Sequence, residues 1–499
     1  MGIMLEHDER LRAHVHPADW PPPEPARRYH MVVIGGGTAG LVTALGAAGL
    51  GARVALVERA QLGGDCLNTG CVPSKALLAS ARVAEGARRA AAFGVTTGDV
   101  AVNFPHVMER MRRLRADIAE HDSAERLRSH GVDVFLGDAT FKGRKVVVVG
   151  AHELRFHRAC VATGSRPRLP PIDGLDPKHV LTNESVFDLN ELPRRLAVLG
   201  GGPVGCELAQ AFAAFGSEVT LIQRGERVLQ HDDAEAAAVV QRSLRNSHVR
   251  LRLATTATKL ARGADGAHVL SLAPDDFGAT LEADRVLVAT GRSPVVDGLE
   301  LEQAGVEYDA ESGIRVDDNL RTTNERIFAA GDVCLSTRFT HAADAAARIV
   351  VRNALFPGSQ KWDAERVPWC TYTDPELAHV GQTEDRARRN GRGVEVIRIE
   401  SHQLDRAVVD GRTDGFVKFV VDRRTQLVGA TIVGAHAGER LAELVPLVTE
   451  RVALHRLAGR IHPYPTYAAA TARAGDRANA ARLTPFRAKL ARVLLAFLR

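Results

Sequence analysis

Short apolar runs that lead into glycines recur along the chain, and each is followed by a stretch with helical spacing. Residues 31–36 read MVVIGG, a helical stretch follows, and residues 53–59 read RVALVER. Apolar runs of this length, rich in β-branched residues, predict buried strands, so the segment predicts a βαβ unit. The same pattern returns at 196–224, where LAVLGGG leads through a helical stretch to EVTLIQR. The repetition predicts two dinucleotide-binding domains of α/β class.

The pattern changes from about residue 365 onward. Residues 416–434 read FVKFVVDRRTQLVGATIVG, which predicts two antiparallel strands around a turn at 422–425. Helical stretches follow at about 438–455. The fold class predicted for the whole chain is therefore α/β, with two Rossmann-like dinucleotide-binding domains and a C-terminal α+β domain.

The bulk composition is that of an ordinary globular protein. Of 499 residues, 45% are hydrophobic and 25% are charged, which allows sizeable buried cores and about three domains. The 65 basic and 60 acidic residues give a net charge of +5. Aromatic residues make up 5% of the chain, so few rings are available to stack on bases. The composition therefore predicts no nucleic-acid partner.

The N-terminal segment carries no targeting pattern. Residues 1–15 are charged throughout and have no apolar stretch typical of a secretion signal. No apolar run reaches the ~18–20 residues that span a bilayer, so we expect a cytoplasmic protein. The proline-rich run at 20–25 predicts that residues 1–29 form a mobile, extended arm.

The first glycine motif lies directly between a predicted strand and a predicted helix, at Gly35, Gly37 and Gly40. The first glycine permits the turn, the second lets a pyrophosphate approach the backbone, and the third lets helix and strand pack closely. The helix N-terminus supplies amide donors to the phosphates. Glu58 ends the second strand, where its carboxylate can accept from ribose hydroxyls.

The second unit repeats this glycine spacing at Gly200, Gly202 and Gly205. Its second strand ends differently, because Gln223 and Arg224 stand where an acid would favour NAD, and Arg227 follows. Arginines suit the 2′-phosphate of NADP, although surface arginines often only face solvent. We therefore expect NADPH rather than NADH at the second site.

Two of the six cysteines stand close together in residues 63–78, which read GGDCLNTGCVPSKALL. A helix-like run begins at Cys71, and a helix dipole with a nearby cation lowers a thiol pKa, so we expect a thiolate there. Zinc binding needs about four ligands, and none of matching spacing lies nearby. A structural disulfide between Cys66 and Cys71 is the other alternative, which a reducing cytoplasm disfavours.

At this motif the chain resembles the class I pyridine nucleotide-disulfide oxidoreductases, a family that includes mercuric reductase, dihydrolipoamide dehydrogenase and glutathione reductase. The resemblance covers about residues 31–475 in the family's order. It implies that Cys66 is the interchange thiol that meets substrate and that Cys71 forms the charge-transfer contact with the flavin. It also implies that Lys75 lies near the flavin and pairs with Glu207, because an unpaired ammonium there would be costly.

Further segments match the family in order. The Ala-Thr-Gly segments at 162–164 and 289–291 resemble loops that pass the two cofactors, and residues 330–332 resemble the motif whose aspartate holds the ribityl chain. The cofactor-binding residues implied by these matches are Thr163, Gly164, Gly291, Gly331 and Asp332. The implied cofactors are FAD and NADPH (or NADH). Residues 367–384 resemble the start of the family's dimerisation domain, which implies a homodimer.

The resemblance also implies domain boundaries. These are an N-terminal arm at 1–30, an FAD-binding domain at 31–180 and 295–362, an NAD(P)-binding domain at 181–294, a dimerisation domain at 363–480 and a basic amphipathic tail at 481–499. The tail has two interpretations. It packs as a helix on the dimer, or it makes a peripheral contact with a membrane surface.

One segment departs from the thiol-substrate members of the family, in which a His-Pro-Thr segment and a glutamate three residues past the threonine shuttle a proton. This chain reads IHPYPTYAAAT at 461–471. Aligned on Pro-Thr, Tyr464 replaces the histidine and Ala469 replaces the glutamate. Aligned on His462, Tyr467 takes the acid position. Neither alignment supplies a His–Glu pair, and tyrosine is a poor base at neutral pH because its reference pKa is about 10.

The electron acceptor therefore stays open between a metal ion and a small molecule. Tyrosine at that place resembles mercuric reductase, although the C-terminal cysteine pair of that enzyme is missing here, where Cys370 is the last cysteine. Dihydrolipoamide dehydrogenase is the alternative within the family. A flavin electron-transfer, quinone-reducing or redox-sensing protein is the alternative outside it, but a pure sensor has no need of the second dinucleotide site.

Overall fold

A computed structural model of the protein describes residues 2–263, 266–274, 280–391, 393–483 and 485–496. The chain divides into two compact units. The first unit comprises Met1–Arg224 and Val249–Ala364, and the second unit comprises Gly225–His248 and Glu365–Arg499.

In chain order the strands are β1 (Tyr29–Ile34), β2 (Val54–Glu58), β3 (Val132–Leu136), β4 (Ala139–Phe141), β5 (Val146–Val149), β6 (His152–Val161), β7 (Ser165–Pro167), β8 (Arg195–Leu199), β9 (Glu218–Ile222), β10 (Arg250–Arg252), β11 (Thr256–Arg262), β12 (His268–Ala273), β13 (Thr280–Ala283), β14 (Arg285–Val288), β15 (Arg292–Pro294), β16 (Tyr308–Asp309), β17 (Gly313–Ile314), β18 (Ile327–Ala329), β19 (Trp369–Thr371), β20 (Glu376–Gly381), β21 (Val394–Glu400), β22 (Phe416–Asp422) and β23 (Leu427–Gly434). Strands β1–β18 lie in the first unit, and strands β19–β23 lie in the second.

The α-helices connect these strands. In chain order they are α1 (Gly2–Val15), α2 (Thr38–Gly49), α3 (Gly64–Asn68), α4 (Cys71–Arg88), α5 (Phe104–Ala119), α6 (Ala124–Ser129), α7 (Pro203–Phe215), α8 (Ala234–Asn246), α9 (Leu301–Ala304), α10 (Thr340–Leu355), α11 (Glu384–Arg389), α12 (Asp405–Val409), α13 (Ala437–Thr449), α14 (Ala469–Ala481) and α15 (Pro485–Ala496).

The first unit is built on a sheet with the strand order β3-β2-β1-β6-β5-β4, and β18 joins it beside β6. Strand β1 pairs in parallel with both β2 and β6. Its side chains alternate between two cores, with Met31 and Val33 in one cluster and Val32 and Ile34 in the other. Burial on both faces explains why this strand is an unbroken apolar run in the sequence.

A second parallel sheet of the first unit has the strand order β10-β9-β8-β14 and repeats the βαβ pattern through α7. A separate antiparallel sheet, β11-β12-β13, accompanies it. The second unit holds an antiparallel sheet in the order β19-β20-β23-β22-β21, and the predicted strand pair at 416–434 is β22 and β23. The α/β fold class with a C-terminal α+β domain is therefore confirmed.

The expectation that residues 1–29 form a mobile arm is wrong for the helix α1. Leu11 and Val15 are buried in the same core as β1, and Asp8 forms salt bridges with Arg112 and Arg115 of α5 at 3.6 and 2.8 Å. The proline-rich run suggested an extended arm, but apolar side chains before it provide a surface that packs. The prolines themselves lie outside any helix or strand.

Helix α8 belongs to the second unit, although its residues fall inside the predicted NAD(P)-binding domain. Lys418 of β22 is buried, and its ammonium lies 2.8 Å from Asp233 at the N-cap of α8. Trp369 donates an indole hydrogen bond to Asp232 at 2.6 Å. These contacts tie α8 to the C-terminal sheet. Among the described residues, no helix is both long and apolar enough to cross a membrane.

Candidate functional site

The two glycine motifs have the same geometry. Gly35 has a φ of +104°, and an added Cβ would lie 2.4 Å from the carbonyl oxygen of Ala162. Gly200 has a φ of +107°, and its added Cβ would lie 2.4 Å from the carbonyl oxygen of Ala289. Only glycine fits such a backbone approach. Each motif therefore packs against the first residue of an Ala-Thr-Gly segment, and these segments were singled out only by resemblance.

The helices that follow the motifs start with open N-termini. Gly37 caps α2 and Gly202 caps α7, and neither helix start has a side-chain cap. A Cβ on Gly37 would meet only the Cα of Gly64, at 3.7 Å, and one on Gly202 would meet nothing within 4 Å. The first amides of α2 are therefore accessible to a phosphate, and in α7, which begins at Pro203 and so lacks an N–H there, the accessible amides start at Val204.

Glu58 holds the loop of the first motif. Its carboxylate accepts hydrogen bonds from the amides of Gly36 and Ala60, each at 2.6 Å. Burial raises the pKa of the Glu58 carboxyl, although these two amides oppose the shift. Each carboxylate oxygen keeps a further lone pair, so the side chain can still accept from a ribose hydroxyl.

Gln223 takes the place of Glu58 in the second motif, where its Oε1 accepts from the Gly201 amide at 2.9 Å. Arg224 is exposed. The guanidinium of Arg227 donates to the carbonyl oxygens of three residues at 2.9–3.3 Å, namely Leu229, Gln230 and Asp232. The Arg227 donors are therefore already used within a turn of the second unit. Arg224 is for this reason the better candidate to bind the 2′-phosphate of NADPH.

Asp332 lies in a polar network of the first unit. Its carboxylate accepts from the Ser165 hydroxyl at 2.6 Å and lies 3.9 Å from the Arg292 guanidinium. Burial raises the pKa of the Asp332 carboxyl. Thr163 donates its hydroxyl to the carbonyl of Val295 at 2.6 Å, which fixes the loop that continues into Gly164. The segment at 289–291 is held in turn by Thr290, which donates to the Arg168 carbonyl at 2.9 Å.

Cys66 and Cys71 are free thiols and lie on neighbouring helices. Cys66 is in the short helix α3, and Cys71 is the first residue of α4. The Cys66 thiol hydrogen-bonds to Cys71, and together with burial this raises the pKa of Cys66. The same hydrogen bond, a further one from Thr340 and the charge of Lys75 lower the pKa of Cys71 to about 6. The pair therefore shares one proton at neutral pH, with the thiolate at Cys71 as the helix start predicts.

Lys75 stands one turn along α4 from Cys71. Its ammonium donates to Glu207 of α7 at 2.8 Å. The Glu207 side chain is 5% exposed and that of Lys75 is 38% exposed. The structure thus brings together Cys66, Cys71, Lys75 and Glu207 as the resemblance implies, with a cation fixed beside the thiolate.

Two sets of contacts that the sequence did not predict hold the loop between the cysteines, and the first is made by Asp65. Asp65, directly before Cys66, accepts from Thr69 and Asn183 at 2.6 and 2.8 Å, and lies 3.3 Å from the Arg292 guanidinium. Arg292 also donates to Ser165, which bonds Asp332. Arg292 therefore links the cysteine loop to the hydrogen-bond network of Asp332. The one sequence feature that could have indicated these contacts is the charged residue Asp65 directly before Cys66.

The second missed contact comes from α5. Arg115 is 6% exposed, and its guanidinium donates to the carbonyl of Asn68, between the two cysteines, at 2.9 Å. The other arm of the same guanidinium donates to Asp8 of α1 at 2.8 Å. The N-terminal helix therefore reaches the cysteine loop through one buried arginine.

The C-terminal segment of the second unit presents its tyrosine to solvent. Tyr464 is 78% exposed, and its hydroxyl donates to Asp405 at 2.8 Å. This hydrogen bond raises the pKa of Tyr464, which makes the side chain an even poorer base. Ala469 begins α14 and supplies no acid.

His462 nevertheless has an acidic partner. Its Nε2 lies 2.9 Å from Glu443 Oε1 of α13, and the Thr471 hydroxyl donates to the other oxygen of Glu443 at 3.0 Å. The sequence offers no His–Glu pair within 461–471, because this glutamate lies nineteen residues before the histidine. Glu443 is therefore a residue that motif spacing alone missed.

Models of known families match nearly all of the chain. Residues 29–348 match the model described as pyridine nucleotide-disulphide oxidoreductase. Residues 367–474 match the model described as the dimerisation domain of the same family. The chain belongs to the pyridine nucleotide-disulphide oxidoreductase family. It is therefore a flavoprotein oxidoreductase with a homodimerisation domain.

The relatives similar to this chain include mercuric reductases and dihydrolipoyl dehydrogenases. A mercuric reductase from Staphylococcus aureus is 34% identical over 441 residues, which cover 88% of this chain and 80% of that protein. A dihydrolipoyl dehydrogenase from Bacillus subtilis (strain 168) is 33% identical over 475 residues, which cover 91% and 98%. Because the identity to both kinds of enzyme is nearly equal, it does not distinguish between their electron acceptors.

Solved structures show the same fold. LpdA from Mycobacterium tuberculosis has a TM-score of 0.82 at 27% identity, covering 90% of this chain and 99% of that chain. The HOCl-induced flavoprotein disulfide reductase RclA from Escherichia coli has a TM-score of 0.78 at 27% identity, covering 89% and 98%.

The residues of the first unit fit the flavin that this family uses. The α2 start offers amides without a side-chain cap, and the partly buried carboxyl of Asp332 offers an acceptor beside Gly331, whose φ is +81°. FAD bound there would supply two-electron transfer between a nicotinamide and a disulfide. Gly37 and the α2 amides would hold its pyrophosphate, and Glu58 and Asp332 would hold its hydroxyl groups.

The remaining cysteines differ from one another. Cys160 and Cys206 are buried, as small apolar residues, in β6 and α7. Cys334 and Cys370 are partly exposed. Cys334 lies in the segment that follows β18, and Cys370 is the middle residue of β19.

Proposed function

We propose that the protein is an FAD-dependent NADPH oxidoreductase that reduces a soft metal ion, Hg(II) foremost, at the Cys66–Cys71 pair. The observation that carries the proposal is the contact between the two thiols, in which Cys66 hydrogen-bonds to Cys71 at the start of α4. Cys71 has a lowered pKa and Cys66 a raised one, because they hydrogen-bond to each other. A thiolate beside a thiol is a site that binds a soft cation as soon as the second proton leaves.

The residues have separate roles in this proposal. Cys66 is the thiol that meets the acceptor, and Cys71 is the thiolate that faces the flavin. Lys75 holds a positive charge beside Cys71, and Glu207 holds Lys75 in place through the 2.8 Å hydrogen bond. Thr340 hydrogen-bonds with the Cys71 sulfur at 3.3 Å, and this contact helps to lower the pKa of Cys71. In the oxidised resting form these two cysteines make the redox-active disulfide.

Reduction of Hg(II) needs no proton delivered to the leaving group, unlike reduction of a disulfide. The two electrons of NADPH convert Hg(II) to Hg(0), and NADP⁺ and one proton are released. Tyr464 suits this reaction better than thiol exchange, because its hydroxyl is held by Asp405 and its pKa is raised. Mercuric reductases among the relatives support the metal-ion class, and a Cu(II) complex is known for the Escherichia coli reductase.

The test is a steady-state screen of the full-length, FAD-loaded protein. NADPH oxidation is followed with Hg(II), Cu(II), lipoamide, oxidised glutathione and a quinone as acceptors. We expect turnover with Hg(II) that Cys66→Ala and Cys71→Ser abolish. Cys370→Ala is the matched control, since it removes one cysteine outside the pair and should leave the rate unchanged. Hg(II) turnover that survives Cys66→Ala would contradict the proposal.

Dihydrolipoamide dehydrogenase is the second candidate, and the His462–Glu443 pair favours it. A histidine held by a carboxylate is the usual proton acceptor for an attacking thiol. The dihydrolipoyl dehydrogenase from Bacillus subtilis, matched over 98% of its length, supports this alternative. Lipoamide turnover with kcat near ~10²–10³ s⁻¹ would place it first.

The tail at 481–499 is proposed to pack on the dimer. The helix α15 leaves Phe486, Leu494 and Leu495 exposed in the single chain, which are side chains that a second protomer would cover. Residues 497–499 lie outside the described residues. Co-sedimentation with liposomes of the full chain and of a 1–480 truncation separates the two interpretations. Loss of membrane binding on truncation would instead favour a membrane-surface helix.

A further inference from the structure

A cavity of about 600 Å³ opens in the first unit at a distance from both glycine motifs. Five of its eleven lining residues are cationic, namely Arg144, Lys145, Arg158, Arg321 and Arg326. His157 adds a titratable ring, and Glu325 is the one acidic residue among the residues that line it. A volume of this size is typical of sites for small molecules.

The five lining cations outnumber the single carboxylate of the lining, Glu325. Among the residues that the structure describes, no carboxylate lies within salt-bridge distance of these five side chains, whereas surface arginines elsewhere are commonly paired, as Arg195 is with Asp284 at 2.8 Å. The Nε atoms of Arg158 and Arg321 are buried and have no hydrogen-bond partner. Burial and the charges of Arg326 and Arg321 lower the pKa of Arg158, and the charge of Glu325 partly opposes this shift. The cations therefore repel one another in the free protein.

The elements that carry the cations are well fixed. Asn324 is 2% exposed, and its side-chain amide donates to the carbonyls of Ala304 and Arg144 at 2.7 and 3.3 Å. The Arg326 carbonyl accepts from the Ala159 amide at 2.9 Å, which ties the turn before β18 to β6. Like charges held together on a rigid frame form a preorganised site for an anion.

The cavity is separate from the flavin site. Strand β6 runs from His152 to Val161, and the flavin loops follow its carboxyl end at Ala162. Arg158 lies four residues before Ala162, about 13 Å along the strand direction at ~3.3 Å per residue. Arg326 directly precedes β18, which is parallel to β6. The basic cavity therefore opens towards the amino ends of these strands, where dinucleotides do not bind in such folds.

We propose that this cavity binds a small oligophosphate with three or more negative charges. Guanidinium groups pair with phosphate oxygens in two-point hydrogen bonds, and several of them on a concave surface favour a multiply charged ligand over a monoanion. The recognised chemistry is the phosphate chain, whether inorganic or attached to a nucleoside, because the aromatic ring in the lining, Phe328, is 1% exposed and offers no face to a base.

The test is calorimetric titration of the FAD-loaded full chain with inorganic tripolyphosphate, in saturating NADP⁺ so that the second dinucleotide site is occupied. We expect one site per chain. Arg158→Gln and Arg326→Gln should each weaken binding at least tenfold, and Glu325→Gln should tighten it. Arg155→Gln is the matched control, since Arg155 lies on the same strand, is exposed and does not line the cavity.

A comparison of ATP with tripolyphosphate shows whether the site takes the phosphate chain of a nucleotide or an inorganic oligophosphate. ATP that binds as tightly as tripolyphosphate indicates a phosphate-chain site open to nucleotides, and much weaker ATP binding indicates an inorganic oligophosphate. Equal weakening by Arg155→Gln and Arg158→Gln would show a general charge effect and overturn the proposal. Absence of saturable binding would overturn it too. FAD content and melting temperature of each variant establish that it is folded.

Discussion

The Sγ atom of Cys71 lies 3.3 Å from the hydroxyl oxygen of Thr340, and each residue is the first of a helix. Helix α4 begins at Cys71 and α10 begins at Thr340, so the positive ends of two helix dipoles meet at one sulfur. Lys75 adds a full charge from the next turn of α4. The thiolate of Cys71 is therefore stabilised from two elements that are far apart in the sequence.

Replacing Thr340 by valine should raise the pKa of Cys71, because the variant keeps the shape of the side chain and removes its hydroxyl donor. In the parent protein the pKa of Cys71 is lowered to about 6, so its alkylation rate rises through that pH and then levels off. Thr340→Val should move this rise to higher pH. Iodoacetamide labelling of the reduced protein against pH measures the shift.

Thr97→Val is the control for this prediction, because the Thr97 hydroxyl bonds only the Ala87 carbonyl on the surface of the same unit. Its pH profile should match that of the parent protein. Superimposable profiles for Thr340→Val and the parent would show that the hydroxyl does not act on the thiolate.

The two cysteines should respond differently to substitution. Reduction of the FAD-loaded protein by two electrons should produce a long-wavelength charge-transfer band, since the Cys71 thiolate faces the flavin in the proposed arrangement. Cys71→Ser should abolish the band, whereas Cys66→Ala should keep or strengthen it. Absorbance during anaerobic titration measures both. Identical behaviour of the two variants would contradict the assigned roles.

The parts of the site that sequence predicts are those set by short-range spacing. The glycine motifs, Glu58 and Gln223 follow from the βαβ pattern, because a strand, a turn and a helix place them regardless of the rest of the fold. The pair of Lys75 and Glu207 spans 132 residues and came from resemblance to a family, since no local pattern contains it.

The parts that sequence misses are contacts made by the tertiary fold. Thr340 is 269 residues from Cys71, and its position depends on how α10 packs beside α2. The pairing of His462 with Glu443 depends on the packing of α13, because the two residues share no motif. The N-terminal helix was missed for another reason. The proline-rich run at 20–25 favoured an extended arm, and the apolar residues Leu11 and Val15 before it were not recognised as a packing surface.

Asp8→Asn should destabilise the first unit. Arg112 and Arg115 are 3% and 6% exposed, and removal of the Asp8 charge leaves two buried guanidinium groups with weaker compensation. A cost of about 1–3 kcal/mol is expected for loss of a charged hydrogen-bond partner. Urea unfolding and hydrogen exchange of α5 measure it. Asp117→Asn is the control, because Asp117 pairs with Arg10 of the same helix α1 at an exposed site and should cost under about 0.5 kcal/mol.

The choice of nicotinamide should depend on Arg224 more than on Arg227. A contact with the 2′-phosphate is worth about 1.5–3 kcal/mol, or roughly tenfold to a hundredfold in affinity. Arg224→Gln should remove that advantage and lower kcat/KM for NADPH but not for NADH. Arg227→Gln is the comparison, since the Arg227 donors already hold three backbone carbonyls. A parent protein that prefers NADH would contradict the expectation.

The proton shuttle should be weak in the parent protein and restorable. A positioned base contributes about 10²–10⁴-fold to rate, and the family's base and acid positions hold Tyr464 and Ala469. Tyr464 is 78% exposed, so a histidine fits there without repacking. Tyr464→His combined with Ala469→Glu should therefore raise lipoamide turnover and leave NADPH-dependent bleaching of the flavin, measured by stopped flow, unchanged.

The His462–Glu443 pair supplies the alternative base, and its substitution separates the two candidate functions. If the protein reduces Hg(II), His462→Gln and Glu443→Gln should leave Hg(II) turnover unchanged, because that reaction takes electrons and needs no proton shuttle. If it is a dihydrolipoamide dehydrogenase, both variants should lower lipoamide turnover by about 10²-fold or more. Thr471→Val perturbs the same pair without removing either member, since it removes only the hydroxyl that donates to Glu443 at 3.0 Å. Fast lipoamide turnover in the parent protein, lost in His462→Gln, would therefore overturn the metal-ion proposal and make His462 the base.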